Sequence, residues 1–177
     1  MFVGIPVSKE LVRELRERFG KLDADLVLVS EENLHFTLQF LGKIIEDSFV
    51  PEIVTKLGEI AKQYSPFLLS LEKVGSFPSE EHIDVIWVGM KDARLAQLMK
   101  AVREKLQYVR KNEHSEVPHL TIARLKSARN KEVVVNVMKE FAEKKFGTMT
   151  IDRFFLYESE LTPQGSKYSV LKEFLLQ

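Results

Sequence analysis

The sequence contains no cysteine, which excludes disulfide staples, cysteine-built zinc sites and thiol nucleophiles together. An excess of charge of one sign is missing as well. Lys and Arg total 26 and Asp and Glu total 26, so no global field draws a polyanion and any nucleic-acid contact must come from a local patch. No uninterrupted apolar run approaches the roughly 18 residues of a membrane-spanning helix. The opening "MFVGIPVSKE" turns polar too early for a secretory signal. These absences lead to the expectation of a soluble, cytoplasmic protein whose chemistry uses groups other than thiols.

What is present is a chain of 177 residues, 45% apolar, enough for the core of one domain. "MFVGIPV" alternates as a strand, and a helix is expected over about residues 8–19, where Leu11, Val12, Leu15 and Phe19 recur at helical spacing. A short strand "DLVLVS", a strand over 34–41 and a helix over 47–64 follow. Further strands are read in "PFLLSLEKVGSF", with Gly75 as a bend or bulge, and in "HIDVIWVGM". Helices over 92–108 and 131–144 flank a strand beginning near Pro118. The chain closes with one long strand, "TMTIDRFFLYESEL", and a hairpin across "TPQG" into "KYSVLKEFLL". Consecutive strands interspersed with helices, without a linker, indicate an α+β fold with antiparallel pairing in one domain over 1–177.

One pattern occurs twice. "HFTL" places His35 and Thr37 at alternate positions of a strand, and "HLTI" repeats the pair as His119 and Thr121, 84 residues later. Residues i and i+2 of a strand share a face, so His35 and Thr37 point together while Phe36, Leu38 and Phe40 are expected on the packing side. Each motif precedes a helix of similar length, which suggests an internal duplication with one motif per half. Two such halves about an approximate two-fold axis would bring the motifs together across a central cleft.

The chemistry follows from the residue types. An imidazole titrates near neutrality, so one removes a proton while another delivers one, without a metal. In-line displacement at phosphorus needs both at once, on opposite sides of the phosphorus. Neighbouring threonine hydroxyls suit the non-bridging oxygens, where charge gathers. A metal site is disfavoured because neither histidine has a second histidine at ligand spacing or an acidic residue on its face. No cofactor is called for.

"HFTL", "HLTI", the connecting "GSFPSEEHIDVIWVG" and the terminal "LTPQGSKYSVL" together resemble the two-histidine phosphoesterase superfamily. Within it they resemble the bacterial and archaeal RNA 2′,3′-cyclic phosphodiesterases, also called 2′-5′ RNA ligases. The resemblance covers essentially the whole chain. It implies two similar lobes related by a pseudo-two-fold axis, with antiparallel sheets flanking a central cleft and helices outside. It also implies metal-independent opening of a terminal 2′,3′-cyclic phosphate to a 2′-phosphomonoester, with reversible, ATP-independent 2′-5′ joining of RNA ends. The partner would be an RNA with a cyclic-phosphate end, a class that includes tRNA fragments, and the protein a monomer away from membranes. His35 would then be the acid protonating O3′ and His119 the base activating water. The residues alone do not divide those roles. Arg124, five residues after His119, matches a family arginine that reaches the phosphate. Strict alternation would point it inward with Ile122, so a strand exit or a bulge is required there.

The motif fixes chemistry better than substrate, leaving open another 2′,3′-cyclic or 2′-5′-linked nucleotide, or an RNA-end-binding module without turnover. The cluster Arg124, Lys126, Arg129 and Lys131 precedes a helix start, where positive charge is unfavourable unless an anion is near. Phe2, Phe77 and Tyr168 are candidates to stack a base, but aromatics usually serve cores, and Trp87 reads as structural. Lys43 reads as a turn lysine, and His82 and His114 as surface residues.

Overall fold

The computed structural model describes residues 1–42, 47–90, 92–109, 117–163 and 165–177. The expectations for Lys43 and His114 therefore lie outside the described residues. Nine strands and four α-helices alternate along the described chain: β1 (Phe2–Pro6), α1 (Arg13–Gly20), β2 (Leu26–Leu28), β3 (His35–Phe40), α2 (Val50–Ala61), β4 (Phe67–Pro78), β5 (Ile83–Met90), α3 (Ala93–Lys105), β6 (Leu120–Leu125), α4 (Lys131–Glu140), β7 (Lys145–Ile151), β8 (Arg153–Thr162) and β9 (Gly165–Leu175). No helix among the described residues is long and apolar enough to cross a membrane.

Helix starts follow local chemistry. The first helical segment opens as a 3-10 turn, Lys9–Val12, capped by the Ser8 hydroxyl, before α1 begins. Asp92 caps α3 by accepting from the Arg94 amide. Each helix buries the stripe that its periodicity announces: Ile53, Leu57, Ile60 and Ala61 on α2, and Leu95, Leu98, Met99 and Val102 on α3.

All strand pairs are antiparallel, and the sheet runs β7-β4-β5-β6-β3-β1-β8-β9, with β2 also paired to β6. A single Cα pair, Phe36 with Leu120, joins β3 to β6. On one side of that rung stands a wing of four strands, β3-β1-β8-β9, and on the other a wing of five, β6-β5-β4-β7 with β2 on β6, so the two expected sheets are one sheet joined at its centre. Helices α2 and α3 pack on the β3 wing, and α1 and α4 on the β6 wing.

Three sequence expectations change. The long strand from Thr148 breaks at Asp152: β7 pairs with β4 at the edge of the β6 wing, and β8 pairs with β1 in the other. The alternation slips by one position at the break, from Met149 and Ile151 inward to Phe154 and Leu156 inward across Asp152 and Arg153. Gly75 is not a bulge, since it stands in register opposite Trp87, and the irregularity lies at Lys73, whose φ is 67°. Glycine is required at position 75 because a Cβ there would come within 2.3 Å of the Trp87 indole. Finally, neither wing is contiguous in sequence: the β3 wing combines β1 and β3 with the later β8 and β9, and the β6 wing adds β2 to the consecutive β4 to β7.

Candidate active site

The Phe36–Leu120 rung organises the site. Phe36 and Leu120 are directly opposed and point into the core, 1% and 0% exposed. Their chain neighbours must turn to the other face. His35, Thr37, His119 and Thr121 thus gather around one rung on a face that no described helix covers, as the repeated motif required.

Each ring is oriented by the same local bond. His35 Nδ1 lies 2.6 Å from the carbonyl oxygen of Asn33, and His119 Nδ1 lies 3.0 Å from that of Val117, both two residues upstream. A carbonyl only accepts, so Nδ1 carries the proton and Nε2 is the nitrogen with the lone pair. Burial pushes both imidazoles below their ordinary pKa. At His35 the bond to Asn33 opposes the shift and His119 adds to it. At His119 the bond to Val117 opposes it, while the Arg103 and Arg124 guanidiniums add to it.

Both motif strands carry a bulge at the same step. Pairing passes from Thr37–Gly4 to Gln39–Val3, skipping Leu38, and from Thr121–Trp87 to Ala123–Ile86, skipping Ile122. Each bulge reverses the alternation beyond it. Arg124 therefore shares the face of Thr121 and is exposed, through a bulge rather than a strand exit. The same reversal corrects Phe40, which is not a packing residue: it stands opposite Phe2 on the site face and is 44% exposed. Sequence reasoning missed it, although it occupies the fifth position after His35 as Arg124 does after His119. Arg103 of α3 donates from Nε to the bulge carbonyl of Leu38 at 3.1 Å.

Aromatic rings wall both histidines. Phe2 lies 4.7 Å from His35, tilted by 36°, and Tyr168 meets it edge-on at 5.4 Å. Phe77 meets His119 edge-on at 4.8 Å and lies 5.3 Å from Trp87. The three aromatics set aside from the sequence are thus ring contacts of the histidines. Trp87 stands directly beside Thr121, and its Nε1–H is buried without a partner. Asn33 has a second duty that no local pattern announces: Nδ2 donates to the Ser166 carbonyl at 2.7 Å, fastening the β8–β9 hairpin, and with it Tyr168, beside His35.

The basic cluster after β6 is partly neutralised within the protein. Arg129 pairs with Asp23 at 2.9 Å, Asn130 donates to the Asp23 carbonyl, and Lys131 donates to the Glu81 carbonyl. Asp23 thus offsets part of the charge before α4, at Arg129. His82 is exposed.

Paired His-x-Thr strands meeting at the centre of an antiparallel sheet mark a two-histidine phosphoesterase. The sequence profile of the 2′-5′ RNA ligase superfamily matches residues 5–163, and the chain belongs to that superfamily. It is 35% identical over 176 residues to the RNA 2′,3′-cyclic phosphodiesterase of Methanocaldococcus jannaschii, covering 97% of this chain and 96% of that protein. With the protein of the same name from Aquifex aeolicus it shares 34% identity over 184 residues, 99% and 96% covered. The fold matches the crystal structure of TT0787 of Thermus thermophilus with a TM-score of 0.81 at 24% identity, covering 99% of this chain and 96% of that one. It matches Escherichia coli LigT complexed with 3′-AMP with a TM-score of 0.78 at 22% identity, over 99% and 96%.

Proposed function

We propose that the protein is an RNA 2′,3′-cyclic phosphodiesterase that opens the terminal cyclic phosphate to a 2′-phosphomonoester by paired imidazole catalysis without a metal. The observation that carries this reading is the matched pair of histidines around the Phe36–Leu120 rung, each with Nδ1 on a carbonyl and Nε2 left for proton transfer. His119 Nε2 takes a proton from water as the water oxygen bonds to phosphorus. The P–O3′ bond breaks, and protonated His35 gives its Nε2 proton to O3′. The Arg103 and Arg124 guanidiniums resist protonation of His119, as a base requires, while burial resists protonation of both rings, so the division of roles follows the family resemblance.

Thr37, Thr121 and Arg124 hold the non-bridging oxygens, with Arg124 as the cationic contact. Phe40 offers its exposed ring to the terminal base. A ribose 5′-hydroxyl in place of water would run the same steps toward 2′-5′ ligation. Matched bulges and the mirrored strand order support an internal duplication within one two-lobed domain, and one chain contains both histidines, so a monomer suffices. Cleaved RNAs, tRNA fragments among them, are the substrate class, which goes with a cytoplasmic site of action.

The deciding experiment is a time course on a short RNA ending in a 2′,3′-cyclic phosphate, in EDTA, with wild type, His35→Ala and His119→Ala. The wild type should yield 2′-phosphate, and each variant should lose about a hundredfold to ten-thousandfold in rate while melting near the wild-type temperature. Binding without turnover would assign an end-recognition module, and turnover only with added divalent metal would overturn the two-histidine mechanism.

A further inference from the structure

The β3 wing carries more aromatic surface on its site face than one nucleotide uses. Cross-strand register sets Phe40, Phe2, Tyr157 and Val170 directly opposite one another on β3, β1, β8 and β9. The next row is Thr37, Gly4, Phe155 and Glu173. Directly opposed residues share a face, so both rows lie on the face that presents His35.

The rings form a continuous layer. Phe2 stacks on Tyr157 at 4.9 Å and meets Tyr168 edge-on at 4.8 Å, and Tyr157 lies 5.6 Å from Phe155 and 6.3 Å from Tyr168. Phe2 is 2% exposed although no described helix packs over it. Its cover includes the surrounding rings themselves. Around it Tyr157, Tyr168 and Phe155 are half-buried, and Val170 is 56% exposed. A contiguous apolar patch of this kind on a sheet face marks a binding surface more often than bare surface.

Resting on the function proposed above, we infer that Tyr157 and Tyr168 form a second nucleoside subsite, for the base preceding the cyclic-phosphate nucleotide in single-stranded RNA. The layer begins at the catalytic centre, since Phe2 and Tyr168 both contact His35. An RNA whose end lies at the histidines must leave over one wing or the other. The β6 wing presents Arg124 and one ring pair, Phe77 with the Trp87 indole that lies over Gly75, whereas the β3 wing presents a broader layer of half-buried rings with the exposed Phe40 on a sheet, the kind of surface on which unpaired bases stack. Tyr157 stands two strands from Phe40, about 10 Å away, which leaves room for a second base beside the first.

The test compares kcat/KM for adenosine 2′,3′-cyclic phosphate with that for the adenosine dinucleotide ending in the same group, in wild type, Tyr157→Leu and Tyr157→Phe. The wild type should prefer the dinucleotide by about fivefold to a hundredfold, the range for one stacked base. Tyr157→Leu should lose that preference at an unchanged mononucleotide rate, and Tyr157→Phe should keep it. Equal wild-type rates on the two substrates, or a loss in Tyr157→Leu shared equally by both, would overturn the subsite. If the wild type turns over neither substrate, the catalytic reading fails separately. The subsite then stands on a dinucleotide product binding more tightly than a mononucleotide product, and falls if they bind alike. A wild type indifferent to length that sediments as a dimer, with the dimer broken by Val170→Lys, would assign the face to a second copy of the chain and overturn it too.

Discussion

The two wings share their local geometry down to the bulge. Each has an imidazole anchored two residues upstream, a threonine beside it, and a fifth position turned outward by one skipped residue. They differ in what fills the symmetric places. At that fifth position one wing shows Phe40 and the other Arg124, and opposite the threonine one shows Gly4 and the other Trp87. A symmetric frame suits a reaction in which one proton is taken and one is given. Unlike fillings give the frame a direction, one side apolar and the other cationic, which on the proposed function would suit a nucleoside and a phosphate.

Exchanging those fillings tests the comparison. Arg124→Ala should cost about a hundredfold to a thousandfold, chiefly in kcat, as expected for a contact that strengthens in the transition state. Phe40→Ala, at the mirrored position, should instead raise KM by about fivefold to a hundredfold with kcat nearly preserved. Steady-state kinetics on one cyclic-phosphate RNA separates the two, and the same kcat-to-KM split in both would mean that the wings are not specialised.

A smaller effect is expected from Gly75→Ala, whose Cβ forces the indole from its seat. Overpacking of about 1–3 kcal/mol should lower Tm, and displacement of Trp87 against Phe77 should lower kcat by about tenfold through the orientation of His119. A lower Tm with kcat intact would show that the Trp87–Phe77 wall is packing alone.

The smallest effect concerns Arg103. Its charge, after burial, helps to hold the His119 pKa down. Removing a cation favours the protonated ring, so in Arg103→Met the His119 pKa rises and the base is blocked up to a higher pH. The acid limb of the pH–rate profile should move to higher pH while the alkaline limb, governed by His35, stays. A profile that shifts as a whole, or not at all, would separate Arg103 from the base.

Much of this was legible in the residues. The alternation of "HFTLQF" and "HLTIAR" revealed the paired motifs, because a strand's period of two is simple and its violations stand out. Arg124 was readable only by supposing an irregularity that alternation itself does not contain. The same supposition extends by alignment to Phe40, which strict alternation had placed in the core. Phe2, Phe77 and Tyr168 could not be ranked from sequence, since their contact with the histidines depends on strand order between distant segments. Asn33 was silent for the same reason: its amide finds Ser166 across 133 positions of sequence. The passage of the chain at Asp152 from one wing to the other also escaped, because the phase slip between Ile151 and Phe154 marks a break in the strand but not which partner each side finds.

The strand order has a consequence in time. Of the described strands β1 is made first, yet its neighbours in the sheet are β3 and β8, and β8 and β9 are made after the other seven. During synthesis the β6 wing gathers its strands first, and the wing that seats His35 closes only after residues 153–175 have emerged. Tyr168, and the Ser166 carbonyl that Asn33 holds, arrive with that last segment. A nascent chain therefore carries both histidines before it carries their shared setting, and the pair becomes an instrument only once β8 and β9 have been added.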